Sequence, residues 1–279
     1  MYERLKDQIR ALRGPVAAQG ASTGIEHAHA FDSKERIRLL TFNIQVGIAT
    51  EAYRHYLTRS WQHLLPHSQR SDNLNRIAQL LAEYDVVALQ EADGGSLRSG
   101  FVNQVQYLAE RGGFPYWRQQ LNRNFGRLAQ HSNGILSRYR PLDVQEHKLP
   151  SLIPGRGAIV AQYGNELDPL VLVLMHLSLS KKAQNRQLGY IRDLVSQYRH
   201  VVLMGDMNAH ADQLLSRSPL KQTDLVPLPE TAHSFPSWRP EKALDHILVS
   251  PTLHVHDARV ISYPVSDHLP IGMEIELPD

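Results

Sequence analysis

Short polar clusters follow or precede the apolar segments of this 279-residue chain. Six such clusters occur, and they contain Asn43, Glu91, His176, Asp206 with Asn208, Asp245, and Asp267 with His268. A single Asn, Asp or His at the end of a strand is usually a turn former or a cap. Six clusters in one chain are better explained by a shared site, because rigid sheets fix catalytic groups at strand ends.

The residue types in these clusters suit hydrolysis of a phosphate ester. Carboxylate and amide oxygens are the ligands that hard cations such as Mg²⁺ and Mn²⁺ prefer. Histidine can hold a proton near neutral pH, and a carboxylate can fix an imidazole in one tautomer. The chain contains no cysteine, which excludes disulfides, a thiolate nucleophile and a thiolate metal site.

The elements that position these clusters are predicted from apolar periodicity. Helical spacing predicts helices over 2–13, 73–84, 102–113 and 185–198. Apolar runs predict strands over 37–47, 85–91, 133–139, 142–149, 157–163, 169–179, 200–208, 244–250, 254–263 and 269–277. Successive strands without intervening helices imply hairpins, so mixed sheets in an α/β (α+β) fold are expected.

The chain is predicted to contain one catalytic domain, residues 36–279, after an N-terminal helix and linker, residues 1–35. No segment approaches the roughly 18 apolar residues that a membrane span requires, and the N-terminus does not resemble a signal peptide. A cytoplasmic location is therefore expected, with no obligate protein partner. The formal net charge of +2 is too small to indicate a nucleic-acid-binding protein by itself.

The clusters, taken in order, resemble the endonuclease/exonuclease/phosphatase superfamily, whose members include deoxyribonuclease I. The similar segments are TFNIQ, ALQEADGG, NGILSRY, LMHLSLS, LMGDMNAH, LDHILVS and SDHLPI, spread over residues 36–277. HLSLSKKAQNRQL is also similar to small bacterial metal-dependent hydrolases of the family. The resemblance implies a four-layer sandwich, in which two mixed β-sheets pack face to face with helices outside.

The resemblance also implies roles for individual residues. Glu91 would be the main ligand of Mg²⁺ or Mn²⁺, with Asn43 beside it and Asp267 close to the ion. Asp206 would activate or align the attacking water, and Asn208 would orient that water and touch the phosphate. Asp245 would steer His268, which would bind the phosphate or accept a proton. His176 would donate a hydrogen bond to a phosphoryl oxygen. The sequence does not decide which histidine or aspartate is the general base.

Several residues are candidates for substrate binding. Arg156 lies between glycines, where a guanidinium can grip phosphate with two hydrogen bonds. Lys181 follows the His176 cluster and could act as a point charge, and Asn133 begins the NGILSRY segment. The aromatic and basic segments 47–70 and 117–127 either contact the substrate or pack as ordinary helix and surface.

The favoured function is a metal-dependent hydrolase of phosphodiesters or phosphomonoesters that uses an activated water. Its substrate is a nucleic acid, or a lipid or small-molecule phosphoester. The alternative is a catalytically inactive binding module with the same fold. All the charged positions are present, which favours the enzyme.

Overall fold

Eleven β-strands make up most of the regular structure in the described part of the chain. The computed structural model describes residues 31, 36–47, 69–124, 128–151, 155–228 and 232–277. The strands run Ile37–Asn43 (β1), Val86–Asp93 (β2), Tyr116–Asn124 (β3), Gln130–Ser137 (β4), Asp143–Lys148 (β5), Gly157–Gly164 (β6), Pro169–His176 (β7), His200–Asp206 (β8), Asp245–Val249 (β9), His254–Val260 (β10) and Ile271–Glu276 (β11).

Four α-helices accompany these strands within the described residues. They are Gln69–Leu81 (α1), Gln104–Gly112 (α2), Lys181–Val195 (α3) and Ala211–Ser216 (α4). The ends of α2 show how local sequence sets a boundary. Asn103 caps the first turn by accepting a hydrogen bond from the N–H of Gln106, and Gly113 ends the helix with φ 71°.

The strands form two sheets. The first has six strands in the order β10-β11-β1-β2-β4-β3, and the second has five in the order β5-β6-β7-β8-β9. Strands β1 and β2 pair in parallel, as do β7 and β8, and all other neighbours pair antiparallel. The expected mixed sheets are therefore confirmed.

Three apolar clusters separate four layers. One lies between the sheets and contains Leu39 and Met204. The second contains Leu40 of the first sheet with residues of α1 and α2, and the third contains Leu203 of the second sheet with residues of α3. Adjacent residues enter different clusters because strand side chains alternate between the two faces. The resulting sandwich, with helices outside both sheets, matches the fold that the sequence predicted.

The structure differs from the predicted elements at several boundaries. Helices α1 and α3 each begin four residues before the predicted start, and β1 ends at Asn43, before a short 3-10 helix, Gln45–Gly47. Strand β3 lies in the basic stretch 117–127, where no strand was predicted, and α4 was not predicted either. The predicted helix 2–13 and most of segment 47–70 lie outside the described residues. Phe31 packs against Tyr163, with ring centroids 6.1 Å apart.

Candidate active site

The sheet topology brings the polar clusters to one end of the sandwich. The carboxyl ends of β1 and β2 carry Asn43 and Glu91, and those of β7 and β8 carry His176 and Asp206. Strand β9 runs antiparallel to β8, which places Asp245 opposite Asp206. A hydrogen bond of 3.1 Å from Nδ2 of Asn43 to Oδ2 of Asp206 links the two sheets at this end.

The carboxylate of Asp206 lies at the centre of the site. Its Oδ2 accepts the hydrogen bond from Asn43 and lies 3.4 Å from Nε2 of His176 and 4.0 Å from Nε2 of His268. All four side chains are buried. Three nitrogen atoms from three separate segments therefore converge on one carboxylate oxygen.

The residues around Asp206 hold its carboxylate in place. The backbone N–H of Asn208 donates to Oδ1 of Asp206 at 3.0 Å, and Asn208 has a positive φ of 50°. Its own Nδ2 donates to the carbonyl of Leu177 at 3.1 Å. Gly205 has φ 143°, and a methyl group there would lie 1.9 Å from the carbonyl oxygen of Met175. Only glycine fits directly before Asp206.

Asp245 and His268 form a hydrogen-bonded dyad. Nδ1 of His268 donates to Oδ2 of Asp245 at 2.7 Å, and the hydroxyl of Ser234 donates to the same oxygen at 2.6 Å. The Phe235 ring packs beside the imidazole at a centroid distance of 4.8 Å. Because Nδ1 is held by a carboxylate, Nε2 of His268 is the nitrogen directed towards Asp206.

Glu91 is presented by an irregularity in β2. The pairing of β2 with β4 shifts register between Leu89 and Ala92, and Glu91 has φ 57°. Its side chain is 33% exposed, and its Oε1 lies 4.0 Å from Nε2 of His176. No hydrogen bond reaches this carboxylate from the residues that the structure describes. Bulges of this kind commonly redirect a side chain at an active site.

Two carboxyl groups of the site, those of Asp206 and Asp267, have raised pKa values. Burial raises the pKa of Asp206 to about 7, and the charges of Asp245 and Glu91 act in the same direction. Burial also raises the pKa of Asp267 to about 6, with a further contribution from Glu91. Carboxylates that repel one another in a buried site are stabilised by a cation.

The two histidines have opposite electrostatic environments. Burial lowers the pKa of His176 well below its ordinary value, and the positive charge of Arg156 reinforces that shift. Burial would also lower the pKa of His268, but the charge of Asp245 and the hydrogen bond to it raise that pKa well above its ordinary value. These shifts favour the neutral form of His176 and the protonated form of His268.

The donor set fits a hard divalent cation. Glu91 offers a partly exposed carboxylate, and the buried Oδ1 of Asp245 has no hydrogen-bond partner among the described residues. Asp206, Asp245 and His268 also place one ligand atom each within 4.8 Å of one another, and this group could bind a metal. Since Nδ1 of His268 donates to Asp245, this ring could ligate an ion only through Nε2.

The three predicted substrate-binding residues occupy different positions. Arg156 directly precedes β6 and lies close enough to Glu91 and Asp206 for their charges to act on its pKa. Asn133 is buried opposite the bulge that carries Glu91, and its Nδ2 donates to the carbonyl of Gly157 at 3.1 Å. Lys181 is exposed at the start of α3. No hydrogen bond or ion pair among the described residues joins Lys181 to the other site residues.

Sequence reasoning missed several residues that complete the site. Ser234 holds Asp245, and Ser266 donates to the carbonyl of Asn43 at 2.8 Å. Asp93 fixes the turn after Glu91 by accepting hydrogen bonds from the N–H groups of Gly95 and Ser96. In the sequence, Asp93 lies two residues after Glu91, and Ser266 directly precedes Asp267 and His268. Polar residues so close to a motif are too common to be singled out.

Comparisons with known proteins agree with the geometry. A sequence profile described as the Endonuclease/Exonuclease/phosphatase family matches residues 40–268. No protein with a curated description matches. Several solved structures are similar to this chain. Among them, an endonuclease/exonuclease/phosphatase from Beutenbergia cavernae is 22% identical, with TM-score 0.66, over 87% of this chain and 72% of that one.

Two other similar structures are named for an activity or a bound ligand. A mannosyl-6-phosphatase from Bacteroides thetaiotaomicron is 17% identical, with TM-score 0.61, over 86% of this chain and 99% of that one. TDP2 of D. rerio, complexed with single strand DNA product, is 17% identical, with TM-score 0.63, over 86% of this chain and 99% of that one.

In the part of the chain that the structure describes, no helix is long and apolar enough to cross a membrane. The fold, the converging site and the matched profile together show that this chain belongs to the endonuclease/exonuclease/phosphatase family, whose members hydrolyse phosphoesters.

Proposed function

We propose that this protein is a divalent-metal-dependent phosphoesterase that hydrolyses a P–O bond by attack of an activated water. The observation that carries the proposal is the convergence of Asn43, His176 and His268 on Oδ2 of Asp206, with the carboxylate of Glu91 alongside. Metal ligands, a proton-transfer group and phosphate-binding groups are the components that metal-assisted hydrolysis requires.

Glu91 would hold Mg²⁺ or Mn²⁺, with Asn43 and Asp267 as further oxygen ligands. Mg²⁺ is commonly bound by one or two carboxylates, with water and substrate phosphate completing its shell. When bound, the cation neutralises charge on the phosphoryl group and on the departing oxygen. The bulge at Glu91 and the hydrogen bond of Ser266 to Asn43 support this assignment because they fix both ligands.

Asp206 and Asn208 would align the attacking water. Asp206 Oδ2 accepts from Asn43 and faces the free nitrogens of both histidines, so a water here can be oriented from several directions. His268, held by Asp245, would bind the phosphate or exchange a proton. His176 is kept neutral, so it suits donation of a hydrogen bond to a phosphoryl oxygen rather than proton storage.

Arg156, Asn133 and Lys181 are the proposed substrate-binding residues. Support is strongest for Arg156, which is mostly buried near Glu91 and Asp206 yet forms no ion pair with any described residue. A guanidinium without a carboxylate partner next to a catalytic site is available for a phosphate. The similar structures include a phosphatase and a DNA complex, so phosphomonoesters and phosphodiesters are both candidate substrates.

Hydrolysis of bis-p-nitrophenyl phosphate and p-nitrophenyl phosphate tests the proposal. We expect turnover that EDTA abolishes and that Mg²⁺ or Mn²⁺ restores. The Asp206→Asn variant should be inactive with unchanged circular dichroism, whereas Asp257→Asn, at an exposed site on β10, should behave like wild type. Equal turnover in EDTA, or full activity in Asp206→Asn, would contradict the proposal. Plasmid DNA, RNA and phospholipids in the same assay would identify the substrate class.

A further inference from the structure

Two arginines of β3 differ in how their charge is balanced. Arg118 donates to Oε1 of Glu146 at 2.6 Å, so its charge is neutralised across the sandwich. Arg123 lies five residues later and has no carboxylate within ion-pair distance among the described residues. The sequence alone leaves the basic stretch 117–127 open between substrate contact and ordinary surface. The ion pair of Arg118 is consistent with an ordinary surface residue, but the position of Arg123 needs another explanation.

The backbone at Gly155 places Arg123 next to Arg156. A methyl group on Gly155 would lie 2.3 Å from Cγ and 2.4 Å from Nε of Arg123, so the arginine side chain lies directly against this glycine. Gly155 has φ 116°, a conformation that favours glycine. The residue that follows is Arg156. Thus the side chain of Arg123 packs against the residue that precedes the predicted phosphate-binding arginine, and its charge acts on that arginine.

The charges of both arginines act on the catalytic residues. Burial and the charge of Arg123 both lower the pKa of Arg156, while Glu91 and Asp206 partly offset that shift. Arg123 and Arg156 also both act on the pKa of His176. Two cations held close together without carboxylate partners destabilise the folded state, and an anionic ligand removes that cost.

We propose that Arg123 and Arg156 form a subsite for a second phosphate group, which the substrate carries beside the scissile one. This inference rests on the proposed function, because it takes the scissile phosphate to lie by Glu91 and His176. Arg123 is exposed while Arg156 is partly buried, so the second phosphate would lie on the solvent side. It could be the neighbouring phosphate of an oligonucleotide or a second phosphate on a sugar.

A binding experiment without metal separates this subsite from catalysis. Titration calorimetry of the full-length protein in EDTA would compare methylenebisphosphonate, with two phosphonate groups, with methylphosphonate, which has one. Since a charge-assisted hydrogen bond is worth about one factor of ten, we expect wild type to favour the bisphosphonate at least about tenfold. Arg123→Gln should lose that preference, Arg123→Lys should keep part of it, and the matched control Arg118→Gln should keep all of it.

Equal affinities for the two probes in wild type would overturn the proposal, as would an undiminished preference in Arg123→Gln. Activity assays then distinguish the sources of the second phosphate. The thymidine dinucleotide TpT would be compared with its 5′-phosphorylated form, and glucose 1-phosphate with glucose 1,6-bisphosphate. In wild type the bisphosphorylated member of one pair should have the higher kcat/KM, and Arg123→Gln should remove the difference. A protein with no hydrolytic activity would contradict the proposed function, while the calorimetric preference would still report on the subsite.

Discussion

The two histidines on either side of the Asp206 carboxylate, His176 and His268, have pKa shifts in opposite directions. On the dyad side, made of His268, Asp245 and Ser234, a buried imidazole donates to a carboxylate and its pKa is raised. On the arginine side, His176 is equally buried; burial lowers its pKa, and the charges of Arg156 and Arg123 act in the same direction. Burial alone would make both rings neutral, so the neighbouring charges decide which histidine can carry a proton.

The dyad side and the arginine side therefore suit different roles in hydrolysis. Under the proposed function, the dyad side would store and move a proton, whereas the arginine side would present neutral and cationic donors to phosphate oxygens. Mutations on the two sides should therefore differ in size and in kind.

The largest effect is expected on the dyad side. Replacing His268 by glutamine removes the group that we propose exchanges a proton in the transition state, and we expect kcat/KM to fall by about 10³-fold or more. The measurement is steady-state hydrolysis of bis-p-nitrophenyl phosphate, with His254→Gln, an exposed histidine of β10, as the matched control. A loss smaller than tenfold would remove the proton-transfer role from this side.

A smaller effect is expected on the arginine side. His176→Gln removes the imidazole donor that we propose contacts a phosphoryl oxygen, so we expect a loss of about 10²-fold, as for removal of one transition-state donor. The loss should appear in kcat rather than in KM. If the kcat of His176→Gln fell as far as that of His268→Gln, the division of labour between the two sides would be wrong.

A support residue of the dyad should matter less. Ser234→Ala removes one of two hydrogen bonds to Oδ2 of Asp245 and leaves the bond to His268, so kcat should decrease by about three- to tenfold. Ser196→Ala, at an exposed hydroxyl that caps the end of α3, is the control. Wild-type kinetics in Ser234→Ala would show that the carboxylate does not need this hydroxyl.

The smallest effect concerns stability and its dependence on pH. The pKa of His176 is lower in the folded state than in the unfolded chain. As the pH falls below about 6.5, the ordinary histidine pKa, only the unfolded chain takes up this proton, so the folded state loses stability. A raised folded-state pKa means that His268 contributes stability below about 6.5 that is lost as pH rises towards the folded-state pKa. The two histidines should therefore impose opposite slopes.

Urea unfolding in EDTA at several pH values between 5 and 8 would measure both slopes. Compared with wild type, His176→Gln should lose less stability on acidification, and His268→Gln should lose less as pH rises above about 6.5. We expect each difference to reach about 1 kcal/mol. Slopes of the same sign for both variants would show that neighbouring charges do not separate the two histidines.

Much of the fold and the centre of the site follow from the sequence. Apolar runs predicted ten of the strands, because buried strands leave a strong local signal. The polar residues at their ends could be recognised as a set, and Asn43, Glu91, His176, Asp206, Asp245 and His268 do meet or pair there.

The missing parts depend on contacts between distant segments. Strand β3 was not predicted because it is an edge strand rich in Gln, Arg and Asn. The charge of its Arg118 is balanced by an ion pair with Glu146 of the other sheet. The opposite pKa shifts of two similar histidines also depend on residues far away in the chain. The roles of the site residues and the boundary at residue 35 remain predictions.

Anomalous diffraction from crystals grown with Mn²⁺ tests the central assignment most directly. We predict one ion at coordination distance, about 2.1 Å, from the carboxylate of Glu91, with the hydrogen bond between His268 and Asp245 intact. An ion enclosed instead by Asp206, Asp245 and His268, with that hydrogen bond broken, would contradict the assignment of a metal ligand and a separate proton-carrying dyad.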